Sequence, residues 1–120
     1  MIVVHGLKNC DTCRKAMKWL SAEDIPHRFR DLRSDGLTAE QLQGWIGALG
    51  WEALLNRRGT TWRQLPESET ADLDEAKAKR LMLAQPALIK RPVFDAGGKM
   101  LLGFKAEQQA ALRAAAGADA

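Results

Sequence analysis

Two cysteines stand three positions apart in the segment KNCDTCRK, residues 8–15, and the 120-residue chain contains no others. Cysteines at this spacing suit three kinds of chemistry: thiol-disulfide exchange, metal ligation, or a single reactive thiol beside a buried residue. A closed zinc site needs four Cys or His ligands, and this chain adds only the isolated His5 and His27. The composition therefore disfavours a structural zinc site and leaves both thiol chemistries open.

Thiol exchange near neutral pH requires a thiolate, and therefore a lowered pKa for the attacking cysteine. Lowering that pKa from about 8.5 to about 6.5 takes roughly 2.7 kcal/mol of preference for the anion. A helix N-terminus typically supplies about 0.3 to 1 kcal/mol, so we expect a cation to contribute as well. Arg14 is the nearest candidate, whereas Lys15 and Lys18 are interpreted as a solvated helix face.

The two cysteines have different expected environments. Apolar or small residues recur at the i, i+3, i+4, i+7 spacing of an amphipathic helix at Cys13, Ala16, Met17 and Leu20. This pattern predicts a helix from Asp11 to about residue 22. Cys10 then precedes the helix, where free backbone N–H groups can hydrogen-bond a thiolate, and we predict that it is the nucleophile. Cys13 lies on the apolar stripe, so that a buried core residue and a resolving thiol remain alternatives.

The segments on either side of this helix predict an α/β domain. The runs IVVH (2–5) and IPHRFRDL (25–32) are typical of strands, and a strand-helix-strand unit of this length predicts that the two strands pair in parallel. The segment KRPVFDAGGKMLLGF (90–104) has the pattern of a hairpin with a glycine turn, and the Ala-rich segment after it predicts a last helix.

Between these parts, residues 37–85 carry helical patterns and no strand pattern. TAEQLQGWIGALG predicts a helix capped by Thr38 and stopped at Gly50, and WEALLN a short one. The segment PESETADLDEAKAKRLMLAQP, with acidic residues first and basic residues later, is interpreted as one further helix that stops before Pro86.

Composition and charge limit the function classes. The chain is 46% hydrophobic and 28% charged, which is typical of one globular domain. The net charge of +3 is small and scattered, which argues against direct nucleic-acid binding. The N-terminus lacks a signal-peptide pattern, and no window approaches the roughly 20 apolar residues of a membrane span. We therefore expect a cytoplasmic protein without membrane contact, in a compartment where a disulfide is more often catalytic or redox-sensing than structural.

Four strings, in this order and at these intervals, resemble the arsenate reductase (ArsC) family, and most closely its YffB-like branch: NCDTCRKAMKWL, WEALLNRRGTTWRQL, LMLAQPALIKRPV and LLGF. The resemblance spans about residues 2–112. It implies a thioredoxin-like (glutaredoxin-type) fold, with a mixed four-stranded sheet and flanking helices. The predicted core is about 1–34 and 87–116, with a helical insertion at about 35–86, in a single domain of 1–120.

The resemblance also implies roles for individual residues. Cys10 would be the nucleophile, and Arg91–Pro92 would place a cis-proline and an arginine beside it. Arg91 suits thiolate stabilisation and substrate binding, because its planar fork binds carboxylates or oxyanions through two hydrogen bonds. The substrate-binding predictions are Arg14, Arg58, Arg91 and Pro92, while Arg57 and Arg63 are interpreted as surface charges.

This sequence departs from the family pattern in two respects. Arsenate reductases of this kind have arginines at the places taken here by Asn56 and by Gly103-Phe104, so part of an arsenate clamp is missing. Cys13 is instead similar to the Spx branch, whose members carry a Cys-x-x-Cys redox switch and bind RNA polymerase.

Three functions therefore follow as hypotheses. The first is a monomeric thiol-dependent reductase with no bound cofactor and glutathione as cosubstrate, in which glutathione or Cys13 resolves the adduct on Cys10. The second is a redox-sensing regulator that binds RNA polymerase through a Cys10–Cys13 switch. The third is a thioredoxin-like domain without activity, whose Cys10 would have the pKa of a free thiol.

Overall fold

The chain folds into an α/β structure, described here by a computed structural model that covers residues 1–118, without the side chain of residue 118. It divides into two compact units. The first joins Met1–Gly36 to the segment from Arg91 onward, and the second is Leu37–Lys90. Among the described helices, none is long and apolar enough to cross a membrane.

A mixed four-stranded sheet forms the centre of the first unit. Its strands are β1 (Ile2–Gly6), β2 (His27–Asp31), β3 (Val93–Ala96) and β4 (Lys99–Leu102). The spatial order is β2-β1-β3-β4, in which β1 pairs with β2 in parallel, β3 with β1 antiparallel, and β4 with β3 antiparallel. This arrangement confirms the thioredoxin-like sheet that the sequence implied.

Two helices belong to the same unit, α1 (Asp11–Ala22) and α7 (Ala106–Ala118). The apolar stripe of α1 is confirmed, since Cys13, Ala16 and Leu20 are buried. Side chains from the sheet and both helices form one core cluster, which comprises Ile2, Val4, Ala16, Leu20, Ile25, Phe94, Ala96 and Leu112. This core holds the start of α1 at the end of β1.

The hairpin between β3 and β4 turns at two glycines, as the sequence predicted. Gly97 and Gly98 both have positive φ, 66° and 96°, a conformation that side chains disfavour and glycine adopts freely. The Asp95 carboxylate accepts a hydrogen bond from the Gly98 N–H at 2.8 Å. The turn therefore fixes the hairpin register, which pairs Val93 with Leu102.

The second unit is helical. Its helices are α2 (Ala39–Leu49), α3 (Trp51–Leu54), α4 (Thr60–Arg63), α5 (Glu67–Thr70) and α6 (Glu75–Ala84), followed by a 3-10 turn at Pro86–Leu88. The Thr38 hydroxyl accepts from the Gln41 N–H at 3.0 Å, and Gly50 ends α2 with a φ of 87°. Both ends of α2 match the predicted cap and stop.

The prediction of a single helix from residue 66 to residue 85 is wrong, because the segment breaks between α5 and α6. Asp72 adopts a left-handed φ of 51°, and the Asp74 carboxylate accepts from the Lys77 N–H at 2.8 Å as the N-cap of a new helix. The Lys77 amine also donates to the Ser68 and Ala71 carbonyls at 2.9 and 2.5 Å. Local side-chain hydrogen bonds therefore replace helical ones at this break.

Candidate functional site

Cys10 lies at the junction between the loop after β1 and the first turn of α1. It is the N-cap residue, with an extended backbone (φ −107°, ψ 119°), and its carbonyl accepts the first helical hydrogen bond from Arg14 at 3.0 Å. Its N–H donates to the Leu7 carbonyl at 3.2 Å, which closes the loop into a turn. The side chain is half-buried, so its sulfur combines a helix N-terminus with access from outside.

The surroundings of Cys10 lower the pKa of its thiol. Burial alone raises the pKa, but the backbone N–H of Cys13, a hydrogen bond from the Arg91 side chain, the Cys13 thiol and the Arg91 charge together outweigh it. The thiolate is therefore favoured at the position predicted for the nucleophile.

Cys13 has the opposite environment. It is 1% exposed, and burial together with the neighbouring Cys10 raises the pKa of its thiol to about 12. Its sulfur packs against the end of β1, where a Cβ on Gly6 would collide with it. Both cysteines are free thiols, and their side chains hydrogen-bond to each other. Cys13 is thus both a core residue and a neighbour of the Cys10 sulfur, so both alternatives remain open.

The sheet brings Arg91 and Pro92 to the cysteine loop. They directly precede β3, whose first residue, Val93, pairs with His5 near the end of β1. The Arg91–Pro92 peptide bond is cis, as the resemblance implied, and Pro92 is buried while Arg91 is half-buried. Antiparallel pairing of β1 and β3 therefore accounts for the approach of Arg91 to a cysteine some 80 positions earlier in the sequence.

The other predicted arginines lie elsewhere. Arg14 is exposed; its Nε donates to the Lys8 carbonyl at 3.1 Å, and a guanidinium nitrogen is 3.5 Å from the Asp11 carboxylate. Its contacts are thus with the cysteine loop and the first turn of α1. Arg58 belongs to the second unit, where its side chain is exposed and its N–H donates to the Asn56 side chain at 3.1 Å.

Arg57 and Arg63, predicted to be surface charges, are exposed but make local contacts. The Arg57 guanidinium lies over the Trp51 and Trp62 rings, 5.8 and 5.9 Å from their centroids. Arg63 donates to the Arg58 carbonyl at 2.9 Å. Both side chains therefore help to shape the loop that carries Arg58.

Sequence reasoning missed a second loop beside Cys10, which follows β2. Asp31, buried at 5% exposure, accepts hydrogen bonds from the N–H groups of Arg33 and Ser34 at 2.8 and 3.0 Å on one oxygen, and from the Lys8 N–H at 3.0 Å on the other. Burial raises the pKa of this carboxyl, but these hydrogen bonds and the Lys8 charge lower it below its ordinary value. The carboxylate thus ties the cysteine loop to the loop after β2.

A cleft of about 410 Å³ opens beside Cys10 within the first unit. Lys8, Arg33 and Arg91 supply its positive charges, and Asp31 lies in its wall. Within residues 1–118, no three His, Cys, Asp or Glu side chains come together as a metal site would require. The arrangement can hold a thiolate and attract an anionic reaction partner.

The chain is similar to known proteins over most of its length. The model of the ArsC family matches residues 5–112. An uncharacterised protein of Haemophilus influenzae is 46% identical over 92% of this chain and 98% of its own. Among solved structures, a YffB protein is 48% identical with a TM-score of 0.88, over 93% of this chain and 98% of its own. An ArsC-related protein from Brucella melitensis is 46% identical with a TM-score of 0.76, over 92% of each chain.

More distant relatives include global transcriptional regulators named Spx. The one from Enterococcus faecalis is 28% identical over 90% of this chain and 83% of its own. The family match covers most of the chain, and the similar YffB structure extends that likeness to the fold. The chain belongs to the ArsC family.

Proposed function

We propose that this protein is a thiol-dependent reductase in which Cys10 attacks a disulfide, with glutathione as cosubstrate and no bound cofactor. The observation that carries the proposal is the hydrogen bond from Arg91 to the Cys10 sulfur at the start of α1, together with the lowered pKa of that thiol. A thiolate held in this way is the reacting species of disulfide exchange. The chemistry requires a compartment that keeps thiols reduced, which is the cytoplasm.

The proposed reaction has two exchange steps. The Cys10 thiolate attacks the glutathione sulfur of a mixed disulfide; the Cys10–glutathione disulfide forms, the original disulfide bond breaks, and the other thiol leaves and takes up a proton. A second glutathione, as its thiolate, then attacks the adduct. Glutathione disulfide leaves and Cys10 returns as a thiolate, so that in the net reaction the mixed disulfide is reduced and glutathione is oxidised to its disulfide.

Cys13 could replace the second glutathione only as a thiolate. Burial and the Cys10 anion raise its pKa to about 12, which opposes that role. Conversion of Cys10 to a neutral disulfide removes the repulsion between the two sulfurs but leaves the burial. We therefore assign resolution to glutathione. Arsenate is a less well supported substrate, because Asn56, Gly103 and Phe104 stand where arsenate reductases of this kind have arginines.

The test is turnover of the mixed disulfide between glutathione and 2-mercaptoethanol, with reduced glutathione in excess and glutathione disulfide as the measured product. We expect Cys10→Ser to fall to the uncatalysed rate and Cys13→Ala to retain most of the wild-type rate. If Cys10→Ser turns over at the wild-type rate, the assignment of Cys10 as the nucleophile is refuted. A Cys13→Ala variant as inactive as Cys10→Ser would transfer the resolving step to Cys13.

A redox-sensing regulator similar to Spx is the second candidate. The contact between the Cys10 and Cys13 side chains favours it, because a disulfide between them needs no distant partner. Capture of RNA polymerase by the purified chain, in its oxidised and reduced forms, tests this function. Binding that depends on oxidation in wild type and is lost in Cys13→Ala would support the switch. Absence of polymerase from both forms would exclude it.

A further inference from the structure

The cleft beside Cys10 has positive charge from three separate segments of the chain. Lys8 comes from the cysteine loop, Arg33 from the loop after β2, and Arg91 from the residue pair before β3. Arg91 already faces the Cys10 sulfur. Lys8 and Arg33 line this cleft and are exposed, so a ligand that enters the cleft can reach both residues. Arg and Lys bind carboxylates and other oxyanions, and carboxylates are the anionic groups that glutathione, the proposed cosubstrate, carries.

Among the described residues that line this cleft, Asp31 is the one with an acidic side chain, and its hydrogen bonds explain its presence. Its two oxygens accept N–H groups from both loops, those of Arg33 and Ser34 on one side and that of Lys8 on the other. A buried carboxylate with this many N–H partners is strongly held in its ionised form. It acts on substrate binding through the position of the two loops.

A second acidic residue secures the loop after β2. The Asp35 carboxylate accepts from the Asp31 N–H at 2.7 Å, and the Asp35 N–H donates to the Asp31 carbonyl at 3.0 Å. The Arg30 guanidinium also binds this loop, since it donates a hydrogen bond to the Asp35 carbonyl at 3.3 Å. The loop is therefore built to a fixed form, with Arg33 at the cleft.

We propose that Lys8 and Arg33 form a subsite for a carboxylate group of the thiol or disulfide that reacts at Cys10, and that Asp31 is the positioning residue that holds both cations in place. The proposal rests on the reductase function, for which it names the substrate class. Disulfides that carry carboxylates react preferentially, and neutral disulfides of similar intrinsic reactivity gain nothing from the subsite.

Two chromogenic disulfides test the subsite: 5,5′-dithiobis(2-nitrobenzoate), which carries carboxylates, and the neutral 2,2′-dithiodipyridine. For Arg33→Gln we expect the rate with the anionic probe to fall about fivefold, equivalent to about 1 kcal/mol, with the neutral probe unchanged. Arg28→Gln is the matched control, because Arg28 is an exposed arginine of β2 that does not line the cleft. It should leave both rates at their wild-type values.

Each result decides one claim. Equal losses with both probes in Arg33→Gln, or the same selective loss in Arg28→Gln, would overturn the subsite. If wild-type Cys10 reacts with both probes no faster than a free thiol at the same pH, the reductase function itself fails. Reaction faster than a free thiol, without any preference that Arg33→Gln reduces, leaves the reductase and removes only the subsite.

Asp31→Asn tests the positioning role. The amide keeps one oxygen for the turn N–H groups, but its NH₂ group then faces another donor, the Lys8 N–H. We expect the ratio of anionic to neutral rates to fall, while Asp24→Asn, which changes an exposed aspartate of the same unit that does not line the cleft, keeps the wild-type ratio. A wild-type ratio in Asp31→Asn would overturn the positioning role, since a purely structural defect would lower both rates alike.

Discussion

The close approach of Gly6 to Cys13 gives a sharp test of how the site is packed. A Cβ placed on Gly6 would lie closer than 3.0 Å to the Cys13 sulfur, a separation that real Cβ atoms essentially never show. Its distances to the Cys13 Cβ and to a Phe29 ring carbon would be 3.4 and 3.5 Å. The sulfur is thus the single obstacle to a methyl group. We expect Gly6→Ala to destabilise the protein through Cys13 alone.

The magnitudes follow from the size of the overlap. An extra methyl group in a packed core costs about 1 to 3 kcal/mol. Cys13→Ala removes one buried sulfur and should cost about 1 kcal/mol. In the double variant the new methyl group occupies space that the sulfur has left, so the pair should cost little more than Cys13→Ala alone. The predicted coupling is therefore about 1 to 3 kcal/mol in favour of the double variant.

Urea unfolding of the wild type, both single variants and the double variant measures this coupling, provided that the denaturant slope is the same for all four. Additive effects, within about 0.5 kcal/mol, would refute the packing of Cys13 against β1. A wild-type stability for Gly6→Ala would refute it as well, because β1 would then have room for the methyl group.

Three further predictions concern single positions. Burial and the nearby Arg30 charge are the main causes that lower the pKa of His5 to about 4 in the folded protein. Because the unfolded chain then binds a proton at higher pH than the folded one, the free energy of unfolding should fall as pH drops from about 6.5 toward 4. In urea titrations at several pH values, His5→Gln should lose part of this pH dependence. An unchanged pH dependence would contradict this. Gly47→Ala, in an exposed position of α2 with open space around it, should raise the free energy of unfolding by about 0.5 to 1 kcal/mol, and a loss would count against that helix. Asp74→Ala removes the cap of the Lys77 N–H and should cost about 1 kcal/mol by the same assay, whereas no change would argue against the break before α6.

Sequence patterns predicted the structure correctly where the residues of a single element determine its form. The i, i+3, i+4 spacing of α1 predicted the buried face that contains Cys13, and the glycine pair predicted the hairpin turn. The same reasoning failed before α6. A run of helix-forming residues was interpreted as continuous, although Asp72 and Asp74 favour a left-handed residue and a new cap.

The site divides in the same way. Cys10 was predicted as the nucleophile from its place before a helix, and Arg91 as its partner from the family resemblance. The link between Asp31 and Lys8 joins residues 23 positions apart, and no local period encodes it. The sequence carried a weak signal for the turn after β2, because an Asp such as Asp31 often accepts hydrogen bonds from backbone N–H groups two and three residues later, here those of Arg33 and Ser34. The second oxygen of Asp31 reaches the cysteine loop only because β1 and β2 pair in parallel.

The rate of Cys10 alkylation by iodoacetamide, measured against pH in wild type and in Arg91→Ala, tests the central claim most directly. The raised pKa of Cys13 keeps that thiol protonated over the range of interest. We predict a wild-type midpoint below about 8.5, the value of an ordinary thiol, and a higher midpoint in Arg91→Ala, with Arg14→Ala as the control that stays at the wild-type value. A wild-type midpoint at that of an ordinary thiol, or one that Arg91→Ala does not move, would contradict the account.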